Sequence, residues 1–146
     1  MNTAQQYLHE LKDLHGEIAG NPDEDFRGQP VICVDRHDRE IHFTPHAQIG
    51  EKMTALLSAF AEEFKDAADV RAVSAALAKF YYGIIAIHPF TDANRRTAFA
   101  FIERRAREKS YAVSGIALLR NCLFEGKVAR EMEKLTALFT HILKPA

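Results

Sequence analysis

The chain has 146 residues, with 19 Lys plus Arg against 20 Asp plus Glu, 47% apolar residues and 27% charged residues. A chain of this length buries roughly 68–70% of the surface its unfolded form exposes. That is enough for one domain over residues 1–146 without metal or disulfide staples, and the charged fraction is that of a globular chain. The formal net charge of −1 gives no overall pull toward nucleic acid or anionic lipid, so an anion must be caught by a local cluster.

Cys33 and Cys122 are too few for a disulfide framework and form no Cys-x-x-Cys pair. Residues 1–7 lack the basic start and apolar run of a secretory signal, and no stretch reaches the roughly 20 apolar residues of a bilayer span. The expectation is a cytoplasmic protein without a membrane partner.

Tyr7, Leu8, Leu11, Leu14 and Ile18 repeat at helical spacing, and Gly20-Asn21-Pro22-Asp23 is a stop, predicting a helix from Thr3 to about Ile18. Nothing is periodic from Asp23 to Gln29. Val31–Val34 and Ile41–Phe43 flank the polar run Asp35–Glu40 and predict a hairpin, although the tip lacks the Gly or Asn of a tight turn. Thr44-Pro45 offers a cap and a first-turn proline for a helix carrying Ile49, Met53, Leu56, Leu57, Phe60 and Phe64, ending near Lys65.

Val70, Val73, Leu77, Phe80, Ile84 and Ile87 repeat at 3, 4, 3, 4, 3, so a third helix runs to about Ile87, where Pro89 disfavours helical geometry at His88. Phe99, Ile102 and Ala106 continue a fourth helix to about Lys109. Ser110–Gly115 breaks it, and Ser114 is placed to cap a short helix through Leu119. The last helix, about Glu125 to Leu143, aligns Val128, Met132, Leu135, Phe139 and Ile142. The fold class predicted is mostly α, a helical bundle with one short β-hairpin.

The chemistry is concentrated in His88-Pro89-Phe90-Thr91-Asp92-Ala93-Asn94-Arg95-Arg96, just ahead of the fourth helix. The unpaired N–H groups and positive dipole end of a helix N-terminus make a phosphate site. Asn94 is placed to cap that helix or to hold the loop, and Arg96 to fork onto a phosphate. Asp92 supplies a hard oxygen suited to Mg²⁺. His88 is the natural proton acceptor for an attacking hydroxyl. Together these groups describe phosphate-ester transfer from a nucleotide, chemistry that consists mostly of positioning and charge stabilisation.

Three other features carry less. His42 and His46 have the spacing of a helical metal pair, but the strand-to-helix junction Thr44-Pro45 lies between them. The basic run Arg95, Arg96, Arg104, Arg105, Arg107 and Lys109 is offset by Glu103 and Glu108 and reads first as a solvated helix face. Phe90 is expected to anchor the loop by burial.

The nine residues resemble the signature of the Fic/Doc (Fido) family, His-Pro-Phe-x-Asp/Glu-Gly-Asn-Gly-Arg, matching at His88, Pro89, Phe90, Asp92, Asn94 and Arg96. The helices on either side, and a hairpin that looks like the family's flap, extend the resemblance over about Ile18 to Leu143. It implies His88 as general base toward a Ser, Thr or Tyr hydroxyl of a target protein, with Asp92 holding Mg²⁺. Asn94, Arg95, Arg96 and the loop amides, including that of Ala93, would bind the phosphates of ATP or another nucleoside triphosphate. The hairpin would align the target by strand addition.

Ala93 and Arg95 replace the two glycines, and Phe99 stands where AMP-transferring members usually carry a second arginine. Ala-Asn-basic-Arg is similar to the Doc branch, in which the terminal phosphoryl group is transferred, whereas His-Pro-Phe-x-Asp and a hairpin flap look more like the Fic branch. The reading is a Doc-like protein phosphotransferase, with AMP transfer as the alternative enzyme and a catalytically silent binding module as the alternative of another class. The string Asn121–Gly126 resembles the family's self-inhibitory helix but lacks its hydroxyl residue and falls too soon after the motif. A toxin held by a separate antitoxin chain, or loss of the need for an inhibitor, is therefore expected.

Overall fold

The computed structural model describes residues 1–21, 25–35, 37–121 and 128–146. Pro22, Asp23, Arg36, Cys122 and the Cys122–Gly126 part of the string above lie outside the described residues.

Five helices form the body: α1 (Thr3–Ala19), α2 (Ile49–Asp66), α3 (Val70–Ile87), α4 (Asn94–Glu108) and α5 (Val128–Ile142). α1 is closed at its start by a reciprocal pair, Asn2 Oδ1 accepting from Gln5 N–H and Gln5 Oε1 from Asn2 N–H. It ends at Gly20 in the left-handed conformation, φ 75°. α3 is capped by Asp69, which accepts from Ala72 N–H at 2.8 Å.

α3 is the central strut, packing on α2, α4 and α5 while α1 covers α2 and α4. Its mean hydropathy of 1.4 over 18 residues is that of a helix long and apolar enough to cross a membrane by length and composition alone. Here that apolar surface goes into the core, with Val73, Leu77, Phe80, Tyr81 and Ile84 inaccessible to solvent. Gly83 lets α2 approach closely, since a Cβ there would lie 2.5 Å from Leu56 Cδ1. A ring cluster of Tyr7, Phe60, Phe80 and Phe101 joins α1, α2, α3 and α4.

The predicted hairpin is β1 (Ile32–Val34) with β2 (Glu40–His42), antiparallel, Cys33 opposite Ile41. Its tip is built without Gly or Asn because Asp35 supplies the turn chemistry. The carboxylate accepts from His37 N–H and Arg39 N–H at 2.8 and 2.9 Å, and those bonds hold it below the usual carboxylate range.

Four expectations are corrected. Thr44-Pro45 does not open α2: Pro45 is extended, a 3-10 turn at His46–Gln48 follows, and α2 starts at Ile49. Residues 111–113 and 143–145 form a second antiparallel pair, β3 (Tyr111–Val113) with β4 (Leu143–Pro145), so the last helix ends before Leu143. Ser114 caps no α-helix; its N–H donates to Ile142 O, and a 3-10 turn spans Ile116–Asn121. The basic run is not a uniform solvated face. Arg105 is buried, paired with Glu10 at 3.0 Å and Glu108 at 3.1 Å, and lies over the rings of Tyr7 and Phe101. Part of the run thus locks α4 to α1.

Candidate active site

Between the hairpin and the start of α4 lies a cleft of about 790 Å³. Its walls include Ile41 and Phe43 from the hairpin side, and Tyr82 and Ile85 from α3. His88, Asp92, Ala93, Asn94, Arg95 and Arg96 all reach it, so the sequence-nominated residues converge on one cavity.

His88 terminates α3 in the left-handed conformation, φ 54° and ψ 63°, its N–H still bonded to Ile84 O at 2.8 Å. Pro89 explains the stop, because the residue before a proline is pushed out of right-handed helical geometry. The half-buried imidazole stacks on Phe43, ring centroids 4.1 Å apart and planes 17° apart. Burial first, then the cations Arg27 and Arg95, lower it from its ordinary 6.5 to about 4. At neutral pH the ring is therefore uncharged and able to accept a proton.

The loop that follows is held from inside. Phe90 is fully buried and anchors it as expected. Asn94 closes on it twice, Oδ1 accepting from Phe90 N–H and Nδ2 donating to Phe90 O, both at 2.9 Å. Of the two local roles the sequence allowed, Asn94 takes the loop-holding one. It is the first residue of α4, and the cap position falls to Ala93, which offers no side-chain bond.

Ala93 sits at φ 57°, the left-handed region where the family signature has glycine. Its methyl group makes that conformation costly, by about 1–2 kcal/mol. The loop reaches the same geometry that a glycine would adopt freely. The N–H groups of Asn94, Arg95 and Arg96 then fall in the first turn of a 15-residue helix, where no intrahelical acceptor exists. Arg95 is half-buried and Arg96 exposed on the same wall.

Asp92 is exposed at the cleft edge, its side chain 65% accessible. Among the described residues no group of three or more His, Cys, Asp or Glu is arranged to hold a metal. An exposed carboxylate near a helix N-terminus suits a hard cation that completes its shell with phosphate oxygens and water. His42 Nε2 instead lies 3.1 Å from Glu40 Oε2 on the hairpin.

Phe99 packs in the core, 7% exposed and stacked on Tyr81 at 5.8 Å. The α4 position that the resemblance linked to a second arginine therefore faces the bundle interior.

Three supporting residues were not nominated by the sequence. His15 of α1 is fully buried, its ring stacked on Phe90 at 3.8 Å and its Nε2 3.2 Å from Asp92 O. A carbonyl only accepts, so Nε2 carries the proton; Nδ1 is left without a partner among the described residues. His15 falls four residues after Leu11 on the buried stripe of α1, a polar residue on an apolar face that the spacing does reveal. Phe43 is the second, just past β2. Arg27 is the third; it lies in the aperiodic stretch, where nothing in the sequence marks it.

No curated protein sequence matches the chain. Among solved structures, it resembles the N-terminal Fic domain of a VirB-translocated Bep effector from Bartonella quintana, with TM-score 0.72 and 17% identity over 95% of this chain and 71% of the other. BepC from Bartonella tribocorum, crystallised with bound AMPPNP, aligns with TM-score 0.67 and 14% identity over 96% of this chain and 75% of that one. A Fic-domain signalling protein from Bacteroides thetaiotaomicron gives TM-score 0.68 and 13% identity over 96% and 63%. At these identities the likeness concerns the fold, and the sequence profile of the Fic/DOC family independently matches residues 6–104. With His88, Asp92, Asn94 and Arg96 of the signature lining one cleft inside that span, the chain belongs to the Fic/DOC family, whose domains modify proteins with nucleotide-derived groups.

Proposed function

We propose that the chain transfers the terminal phosphoryl group of a nucleoside triphosphate to a Ser, Thr or Tyr hydroxyl of a target protein. The observation that carries this reading is one cleft wall. An uncharged, half-buried His88 stands there beside the first turn of α4 with Arg95 and Arg96, while position 99 puts a buried phenylalanine where a further phosphate-gripping cation would be.

In the proposed reaction the His88 imidazole takes the proton of the target hydroxyl as its oxygen bonds to the γ-phosphorus. The bond from that phosphorus to the β,γ-bridging oxygen breaks, and the nucleoside diphosphate leaves with the electron pair. Arg95, Arg96 and the amides of residues 94–96 bear the charge on the phosphates. Ala93 sets the turn that aims those amides, and Asn94 keeps Phe90 and the loop in place. Asp92 would hold Mg²⁺, which supplies charge neutralisation when bound. The outer edge of the hairpin offers unpaired backbone groups to an extended target segment.

AMP transfer is the second reading, supported by the flap-like hairpin beside the cleft and by the AMPPNP bound to the BepC structure. There the same base serves, the α-phosphorus is attacked and pyrophosphate leaves. ATP labelled at either position separates the two: γ label on a protein supports phosphoryl transfer, α label supports AMP transfer. Label from neither with any lysate leaves a silent binding module. Control by a separate antitoxin chain, in the cytoplasm, belongs to the same proposal. Co-expression of a neighbouring gene product that abolishes transfer and copurifies with the chain would support it.

A further inference from the structure

Arg27 takes no part in the chemistry above, yet it bonds to several segments around the site. It is 4% exposed. Its Nε donates to His88 O at 2.6 Å, Nη1 to Gln29 O at 2.8 Å, and Nη2 to Thr44 O at 2.5 Å and to Ile87 O at 3.2 Å. Its own N–H donates to Pro89 O at 2.9 Å. Gln29 lies before β1 and Thr44 after β2, so one guanidinium is bonded to both roots of the hairpin and to the end of α3.

Two physical consequences follow from this pattern. His88 is a non-glycine residue in the left-handed region, a conformation that persists only where its surroundings hold it. The Arg27 side chain holds it through the carbonyls on either side of its Cα, Ile87 O and His88 O, and the Arg27 backbone N–H adds a bond to Pro89 O. In addition, no carboxylate among the described residues pairs with Arg27, which is unusual for a buried cation. Among the described residues, carbonyl dipoles satisfy its hydrogens, and its positive charge acts on the imidazole.

We propose that Arg27 is a positioning residue that ties the hairpin and the turn carrying His88 into one unit, so that a single side chain sets both the flap's place and the aim of the base. It acts through His88 and touches no substrate. Phe43, adjacent to Thr44, completes the link by stacking on the imidazole. Arg95 of α4 is the other cation facing the ring, and the carboxylates of Asp35, Glu40 and Asp92 line the same cleft. The inference rests on His88 as the reacting group, but its test needs neither nucleotide nor target.

The test is an NMR titration of His88 in the full chain, comparing the wild type with Arg27→Gln and Arg27→Lys. Two readouts are followed: the midpoint of the ring titration, and the upfield ring-current shift that Phe43 imposes on the His88 ring protons. In Arg27→Gln the midpoint is expected to rise measurably toward the ordinary 6.5, and the ring-current shift to collapse. Arg27→Lys keeps the charge but loses the fork, so the ring-current shift still falls while the midpoint rises less than in Arg27→Gln. A folded Arg27→Gln protein with an unmoved midpoint and an unmoved ring shift would overturn the proposal. If Arg27→Gln does not fold, Arg27→Lys decides: a displaced ring supports the proposal and an unmoved one overturns it. Failure to transfer phosphate or AMP would overturn the functional reading and leave this result intact.

Discussion

The hairpin Ile32–His42 and the loop His88–Arg96 face each other across one cleft and are built in opposite ways. Every residue of β1 and β2 is exposed, Ile32 at 52% and Val34 at 63%, and among the described residues each strand pairs only with the other. The loop is pinned from beneath by Phe90, Asn94, His15 and Arg27. A reacting group must be held within a fraction of an ångström of its working position. An edge that receives another chain must instead keep its N–H and C=O groups open. The contrast is what the proposed function needs, with chemistry on the pinned wall and recognition on the open one.

The largest effect that sharpens this contrast is on the base. His88→Ala is expected to lower transfer by roughly 10²–10⁴-fold with little change in melting temperature, measured by label incorporation and thermal unfolding. Full retained activity would break the assignment. Next comes Arg96→Ala on the same wall, expected to weaken nucleotide binding on the order of tenfold to a hundredfold through loss of a charged hydrogen-bonding partner, read by calorimetry.

Asn94→Ala attacks the pinning itself. It leaves Phe90 N–H and C=O without their partner in a buried setting, so unfolding free energy is expected to drop by about 2–4 kcal/mol in denaturant titrations. Ala93→Gly runs the other way. Relief of the left-handed strain is expected to stabilise the fold by about 0.5–1 kcal/mol, and a loss would mean that the methyl group is packed to advantage. On the hairpin, Val34→Thr is expected to change stability by no more than about 0.5 kcal/mol while reducing target modification at unchanged nucleotide affinity.

The pH response follows from the low position of the imidazole, about 4. The base form is filled at every pH above that value, so this group predicts transfer that stays level from neutral pH down to about 5 and fails through 4. The unfolded imidazole takes a proton near 6.5 and the native one only near 4. Native stability contributed by this group is therefore whole above 6.5 and declines as the pH falls through that interval.

The helices were legible because burial imposes a period: the spacing from Val70 to Ile87 predicted α3 with its end at His88, as found. The signature residues were legible because they are contiguous. β3 and β4 were not, because strands of three residues carry no alternation and the register of Tyr111 with Pro145 joins positions far apart in the chain. Thr44-Pro45 was misread because a local capping pattern competed with a tertiary demand, the Thr44 carbonyl that Arg27 takes. Arg27 itself was invisible for the same reason. Its partners are backbone carbonyls, which no residue type in the sequence announces, so the support of the site was less legible than its chemistry.

The most direct measurement of the central claim is intact-protein and peptide mass spectrometry of a cell lysate treated with ATP, Mg²⁺ and either wild-type chain or His88→Ala. The account predicts one host protein carrying an added phosphate on a Ser, Thr or Tyr with the wild type and none with the variant. An identical modification pattern with both, or no modification with either, would contradict it.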